Sequence, residues 1–290
     1  MRPPGHVPRI ADRTSPFGEA PPLSPDETFT IAVASGKGGV GKTNIAVNLA
    51  LALNGRGLKV SLVDLDLGLA NADVLLGVQS RHTLSHVVCG ARSLADVAVE
   101  LREGLRFVPG ASAVHRLQNL TPFERQNLLR QLKLFAADTD VVVYDCGAGL
   151  SPNVTDFARA ADRTLVVTTP EPTAVTDAYA IVKVMVREGY HGSIGLILNR
   201  TADRREALQV YDRLRAAAER FLEYPIADDG FVVQDNHVEL AVRQRCPFMI
   251  RYPRCPASSC MALVADGLVN GRVPRLAGGG FFRQVAGLFA

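Results

Sequence analysis

The chain has 290 residues, of which 47% are hydrophobic, and this favours one sizeable core with tails over several domains. Its 32 basic and 29 acidic residues leave a net charge of +3, which is too small by itself to indicate nucleic-acid binding. The five cysteines show no Cys-x-x-Cys spacing, which argues against a disulfide scaffold or a tetrahedral zinc site and suits a reducing cytosol.

The two ends of the chain differ in composition from its middle. Residues 1–28 are rich in proline, glycine and charge, so we predict a flexible N-terminal arm without the apolar run of a secretory signal. A folded domain is expected over 29–269, followed by a Gly/Pro-rich linker over 270–279. No apolar run in the sequence has the length of a transmembrane helix.

Short apolar runs rich in β-branched residues recur along the domain. They show no alternation with polar residues, which is typical of strands buried on both faces of a parallel sheet. The predicted strands are 29–35, 59–66, 105–110, 140–146, 164–170 and 193–199.

Helical patterns occupy the gaps between these runs. The predicted helices are 42–55, 121–136, 173–188, 203–221 and 231–245. This alternation predicts an α/β fold, a mostly parallel twisted sheet flanked by helices with right-handed crossovers. Ligands of such a fold bind at the carboxyl ends of the strands.

The stretch GKGGVGKT, Gly36–Thr43, fits the phosphate-loop template G-x-x-x-x-G-K-[ST] between a predicted strand and a predicted helix. Its glycines let backbone N–H groups close around phosphate oxygens, and the helix start adds its positive dipole end. Lys42 is expected to reach the β- and γ-phosphates of ATP, and Thr43 to bind Mg²⁺. The alternative is a glycine-rich turn with no ligand. A second lysine, Lys37, has no comparable task within one such loop.

Three aspartates lie where predicted strands end. Asp145 follows four apolar residues in the Walker-B manner, and Asp64 and Asp66 end the second predicted strand. Carboxylates at these positions hold Mg²⁺, directly or through water, beside bound phosphates. We predict that Asp66 orients the attacking water, while Asp64 and Asp145 join Thr43 at the metal. The alternative for any one of them is to cap the next helix.

The last residues of the chain form one apolar stripe at helical spacing. The residues of this stripe are Phe281, Phe282, Val285, Leu288 and Phe289. We predict an amphipathic helix over 280–290 that binds a membrane surface. Docking of this helix back onto the protein's own surface is the alternative.

These motifs resemble those of the MinD/ParA ATPases, whose deviant Walker A loop carries a lysine directly after its first glycine, as at Lys37. Residues 64–77, 145–154 and 168–180 resemble more narrowly the flagellar-number regulators of the FlhG, or FleN, type. The resemblance covers roughly 29–269 and implies a P-loop NTPase fold of the SIMIBI, MinD-like class.

The resemblance implies a slow ATPase that forms ADP and phosphate and is a homodimer in its ATP state, with Lys37 reaching the partner's phosphates. Asn199 matches an asparagine that reads adenine, and Pro225 and Asp228 match a loop beside the base. The implied catalytic residues are Lys37, Lys42 and Asp66. The implied nucleotide-binding residues are Gly36, Lys37, Gly38, Gly39, Val40, Gly41, Lys42, Thr43, Asn44, Asn199, Pro225 and Asp228.

The resemblance also implies a cytoplasmic protein that attaches peripherally to the anionic inner face of the cell membrane. Its implied partners are the flagellar GTPase FlhF and flagellar switch or transcription-regulator proteins. A MinD-type regulator of the division site and a ParA-type DNA-partitioning ATPase stay open as alternatives. DNA partitioning needs a basic surface, so the small net charge makes nucleic acid the less favoured partner.

Overall fold

The computed structural model describes residues 28–66, 71–110, 130–132, 134–136 and 138–270. Its strands are β1 (Phe29–Ser35), β2 (Val60–Leu65), β3 (Val99–Arg102), β4 (Leu105–Val108), β5 (Val141–Ala148), β6 (Arg163–Thr168), β7 (Ser193–Thr201) and β8 (Ala227–Val233). Within this part of the chain they form one sheet in the order β3-β4-β2-β5-β1-β6-β7-β8.

Helices connect most of these strands. They are α1 (Lys42–Asn54), α2 (Ala72–Leu76), α3 (Leu84–Val88), α4 (Leu94–Val97), α5 (Pro152–Ala160), α6 (Pro172–Arg187), α7 (Arg204–Leu222), α8 (Asn236–Arg243), α9 (Phe248–Arg251) and α10 (Pro256–Val269).

The sheet is parallel except for the hairpin of β3 and β4 at one edge. β1 lies between β5 and β6, so the carboxyl ends of three parallel strands meet beside the loop that follows β1. This confirms the predicted α/β fold, and it places the phosphate loop where ligands of such sheets bind.

Both faces of the sheet are covered, and β1 shows this directly. Ile31 and Val33 belong to the core that contains α1 and α10, whereas Ala32 and Ala34 belong to the core that contains α6 and α7. Full burial of such a valine or isoleucine side chain stabilises the fold by about 1.5–3 kcal/mol. The unalternating apolar runs in the sequence follow from this burial on two sides.

Each of the six predicted strands overlaps an observed strand, and α1, α6 and α7 follow their predicted ranges closely. The predicted helix 231–245 is wrong at its start, because its first residues complete β8 and α8 begins only at Asn236. β8 carries two aspartates and Gly230, so it lacks the apolar run by which the other strands were predicted. β8 forms because its backbone pairs with β7.

Several predicted segments fall outside the described residues. They are the N-terminal arm apart from Thr28, most of the helix over 121–136, the linker except Asn270, and the membrane helix. Within the described ranges, no helix combines the length and the apolar character needed to cross a membrane.

Candidate nucleotide-binding site

The phosphate loop is packed tightly against two other parts of the chain. A Cβ on Gly36 would lie 2.0 Å from the backbone oxygen of Asp177 in α6. Gly41 has φ 93°, and a Cβ there would lie 2.3 Å from Nδ2 of Asn199. By contrast, a Cβ on Gly38 would meet no atom within 4 Å. Glycine is therefore required at both ends of the loop by the protein itself, while the middle of the loop borders open space.

Lys42 forms a buried ion pair with Asp145. Its Nζ lies 2.5 Å from Oδ1 of Asp145, and the two side chains are 6% and 1% exposed. Burial alone would lower the pKa of Lys42, but the neighbouring carboxylate outweighs burial and raises that pKa above its usual value. The ammonium group is thus kept charged at the start of α1, where a phosphate group would lie.

Asp145 has one oxygen to spare. Its Oδ2 is buried and has no hydrogen-bond partner among the described residues. Burial raises the pKa of Asp145, although Lys42 and Thr43 act in the opposite direction. A buried carboxylate oxygen without a partner is costly, and a divalent cation or a water bound to it satisfies such an oxygen. The residues at this point therefore fit Mg²⁺.

Asp64 lies level with Asp145 on the neighbouring strand, but its oxygens are used differently. Oδ1 accepts a hydrogen bond of 2.9 Å from the backbone N–H of Asp66, and Oδ2 accepts one of 3.4 Å from that of Ala72. Burial, and then the charge of Asp145, raise the pKa of Asp64 to about 7. These contacts engage both oxygens of Asp64 within the chain at the end of β2, and its place at the metal stays a prediction.

Asp66 follows β2 and lies close to the end of β5. Its Oδ1 is 3.8 Å from the position that a Cβ on Gly147 would take. Its charge affects the pKa values of both Lys42 and Asp145. The structure thus brings Asp66 to the same corner of the sheet as the phosphate-loop lysine, and its side chain is only partly buried.

Lys37 leaves the phosphate loop toward α6. Its Nζ donates hydrogen bonds to Oε1 of Glu171, at 3.2 Å, and to Oγ1 of Thr173, at 3.0 Å. Its side chain is 38% exposed. In this state the second lysine of the loop is held by residues of its own chain.

Asn199 lies near the end of β7 and contacts the phosphate loop. Its Nδ2 donates a 2.8 Å hydrogen bond to the backbone oxygen of Val40, and its Oδ1 accepts one from the N–H of Arg200. The side chain is 8% exposed. Asn199 is therefore at the predicted edge of the sheet, with both ends of its amide engaged within the chain.

Pro225 and Asp228 lie before the carboxyl end of β8, away from the end of β7 near which Asn199 lies. Asp228 is level with Leu196 of β7, three residues before Asn199 and therefore about 10 Å from it along the strand. The neighbouring residue Asp229 pairs there with the buried Arg163. The predicted adenine loop would have to follow β8. Pro225 precedes this strand and Asp228 lies near its start, so the structure does not place them in such a loop.

The carboxyl end of β8, and not Pro225 or Asp228, lies beside the end of β7. The N–H of Gln234 donates a 2.8 Å hydrogen bond to the oxygen of Thr201, so the loop after β8 borders the end of β7. Oγ1 of Thr201 and Oδ1 of Asn44 are buried and have no hydrogen-bond partner in the described structure. The run Phe231–Val233 before Gln234 is the apolar part of β8, and it is too short to have predicted the strand.

Comparisons with known proteins agree with this site. The family described as the CobQ/CobB/MinD/ParA nucleotide binding domain matches residues 31–248. The antiactivator FleN of Pseudomonas aeruginosa is 37% identical over 244 residues, covering 84% of this chain and 87% of FleN. The flagellum site-determining protein YlxH of Helicobacter pylori is 37% identical over 219 residues, covering 75% of this chain and 74% of YlxH.

The fold is similar to that of solved structures as well. The septum site-determining protein MinD of Pyrococcus horikoshii, complexed with Mg-ADP, superposes with a TM-score of 0.67 and 27% identity. The similarity covers 83% of this chain and 96% of that one.

Proposed function

The chain belongs to the CobQ/CobB/MinD/ParA nucleotide-binding family and is an ATPase, and on this premise we propose that it is an ATP-operated switch that regulates flagellar number and placement. The observation that carries the flagellar role is the similarity to YlxH, named for determining the flagellum site, over three quarters of this chain. The similarity to FleN covers still more of the chain and supports the same branch of the family.

In the proposed ATP state, the loop amides and the start of α1 bind the phosphates. Lys42 exchanges Asp145 for the β- and γ-phosphate oxygens, and the move leaves Asp145 free to join Thr43 at the cation. Mg²⁺, when bound, neutralises charge on the phosphate oxygens. The orphaned Oδ2 of Asp145 supports the cation site, because it is an oxygen that gains a partner when the cation binds.

Asp66 orients the water that attacks the γ-phosphate in this proposal. Water attack of this kind depends on positioning more than on a strong base, and an ionised aspartate accepts a hydrogen bond from the water. The partly exposed carboxylate beside Gly147 supports the assignment. Adenine is placed at the ends of β7 and β8, near Thr201 and Gln234, instead of at Pro225 and Asp228.

Two further steps turn hydrolysis into a switch. ATP brings two chains together, with Lys37 of each reaching the phosphates of the other, and the paired tails over 280–290 bind the anionic face of the membrane. Hydrolysis reverses both steps. FlhF and flagellar switch or transcription-regulator proteins are the proposed partners of the dimer.

Substitution of Asp66 tests the hydrolytic step. Asp66→Ala is expected to slow phosphate release by about 100-fold or more, with little change in Mg-ATP affinity, because binding relies on the phosphate loop. Asp73→Ala, in the first turn of α2, is the matched control and keeps the wild-type rate. Wild-type turnover by the Asp66 variant would refute the assignment.

The biological role is tested by removing the gene and counting flagella by electron microscopy. The proposal predicts an altered number or position of flagella, restored by the wild-type chain but not by Lys42→Ala. Normal flagella with misplaced division septa would favour the MinD-type alternative. Loss of plasmid or chromosome partition with normal flagella would favour the ParA-type alternative.

A further inference from the structure

Lys37 is held by a closed set of hydrogen bonds at the start of α6. Besides the two bonds that its Nζ donates to Glu171 and Thr173, Oγ1 of Thr173 donates to Oε1 of Glu171 over 3.2 Å. Each of the three side chains therefore contacts the other two. We call this set the Lys37 latch.

Glu171 has no competing task in α6. It is the N-cap residue of the helix, yet its side chain makes no capping hydrogen bond. The hydrogen bond from Lys37 holds the pKa of Glu171 below its usual value, so the carboxylate is ionised at neutral pH. Within the part of the chain that the structure describes, Glu171 forms its ion pair with Lys37.

The electrostatics of the helix make Glu171 necessary for the latch. The N-terminus of a helix carries the positive end of its dipole and disfavours a nearby cation. The ammonium of Lys37 nevertheless lies against the first turn of α6, where Thr173 accepts its hydrogen bond. The negative charge of Glu171 offsets this repulsion. Without that charge, the position would favour departure of Lys37.

The phosphate loop is fixed beside this helix by backbone packing. Gly36 approaches the oxygen of Asp177 so closely that a Cβ would lie 2.0 Å from it. Lys37 therefore starts from a point anchored to α6, and only its side chain must move to release the latch. The side chain is 38% exposed, which leaves it room to swing away.

We propose that Glu171 and Thr173 are positioning residues that hold Lys37 within its own chain and thereby set how readily ATP joins two chains. This inference rests on the proposed ATP dimer. Lys37 cannot contact Glu171 and a partner's phosphate at the same time, so each chain must release its latch before the dimer forms. When only a fraction of the chains is in the released state that can dimerise, the apparent affinity of the dimer is reduced in proportion to that fraction.

The main test is Glu171→Gln, which keeps the shape of the side chain and removes its charge. The dimer dissociation constant is measured by analytical ultracentrifugation with Mg²⁺ and a non-hydrolysable ATP analogue. We expect the variant to dimerise about 2- to 30-fold more tightly, because an exposed ion pair contributes little per chain and a dimer releases two of them. Thr173→Val is expected to act in the same direction with a smaller effect.

Two controls separate positioning from a general structural effect. Glu188→Gln removes an exposed glutamate that pairs with Arg159 at the other end of α6 and is expected to leave dimerisation unchanged. In a Lys37→Met background, Glu171→Gln is expected to have no effect on the residual dimerisation, since a double-mutant cycle isolates the Lys37–Glu171 coupling. Analogue affinity at monomeric protein concentration and the melting temperature should change little.

A second readout examines the monomer directly. Acetylation of Lys37 by acetic anhydride, followed by mass spectrometry, is expected to be faster in Glu171→Gln than in the wild type, while Lys59 reacts equally in both. If neither the wild type nor any variant dimerises, the proposed dimer fails and the regulatory latch fails with it. If the wild type dimerises and Glu171→Gln dimerises equally or less well, only the latch is overturned.

Discussion

Among single residues, Lys42 and Asp145 depend on each other because both charges are buried. Removal of one member of a buried pair leaves the other charge uncompensated, which costs about 3–5 kcal/mol. We therefore predict that Lys42→Met destabilises the nucleotide-free protein by about this amount, besides abolishing ATP binding. Urea unfolding without nucleotide measures the effect on the free energy of unfolding.

The double variant Lys42→Met with Asp145→Leu is expected to regain most of this stability, because neither charge is then buried. Lys59→Met is the matched control, since Lys59 pairs with Asp138 while both side chains are more than 60% exposed. Its effect should be below about 1 kcal/mol. Equal effects of Lys42→Met and Lys59→Met would contradict the importance of burial.

The sequence predicted the phosphate loop and Asp145 because their spacing and flanking elements are specific to the motif. It assigned Asp66 to the attacking water and Asp64 to the metal, but it could not show how the side chain of Asp64 is held. That depends on which carboxylate accepts the backbone amides at the end of β2, and the structure assigns those amides to Asp64. Lys37 shows the same limit, because its hydrogen-bond partners lie far along the chain, in α6.

Among the elements, α8 and α10 are joined through Asp235. Its Oδ1 accepts the N–H of His237 in α8, and its Oδ2 accepts the N–H of Ala257 in α10. Burial alone would raise the pKa of Asp235, but these hydrogen bonds outweigh burial and lower it to about 2. Folding therefore stabilises the ionised carboxylate of Asp235 relative to its protonated form.

A pH dependence follows from this lowered pKa. The stabilisation by Asp235 is fully present above its unfolded pKa near 4 and is lost as the pH falls toward its folded pKa of about 2. At pH 7, Asp235→Asn should reduce the free energy of unfolding by about 2 kcal/mol. The difference from the wild type, measured by urea unfolding between pH 7 and 3, should shrink toward the acid end. A difference that is constant with pH would contradict the assignment.

β8 marks the element that the sequence could not predict. Its residues include two aspartates and Gly230, and they are a strand only because β7 offers a free edge. The helix predicted over 231–245 therefore started too early. The adenine loop had been assigned to Pro225 and Asp228 from the family resemblance. Apolar runs identify strands buried on both faces, whereas an edge strand depends on long-range pairing.

Across the whole molecule, the two ends of the sheet have separate tasks. At the amino ends of the strands, the buried Arg163 pairs with Asp229 and donates a 3.0 Å hydrogen bond to Ser193, so this end ties β6, β7 and β8 together. At the carboxyl ends, the phosphate loop, Asp145 and Asp66 lie together, and the middle of the loop borders open space. The fixed amino ends of the strands hold the sheet together, and this would allow side chains at the carboxyl ends to change their hydrogen-bond partners in the proposed ATP state.

In the proposed switch, the membrane step belongs to the dimer as a whole, since each chain would contribute one short tail. Interfacial binding scales with buried apolar area and charge, and the tail over 280–290 carries a single cation, Arg283. One tail is therefore expected to bind weakly, whereas two linked tails gain from their effective concentration. Deletion of 280–290 should abolish ATP-dependent pelleting with anionic liposomes and leave ATP binding intact.

Because membrane binding is proposed to require the dimer, a variant that cannot dimerise is the control for the deletion of 280–290. Lys37→Ala keeps the whole tail but is expected to stay monomeric with ATP, so it should pellet little better than the truncated chain. Pelleting of the truncated chain at the wild-type level would refute the tail as the membrane anchor. Full pelleting of Lys37→Ala would instead show that a single tail suffices, and membrane attachment would then be independent of the dimer.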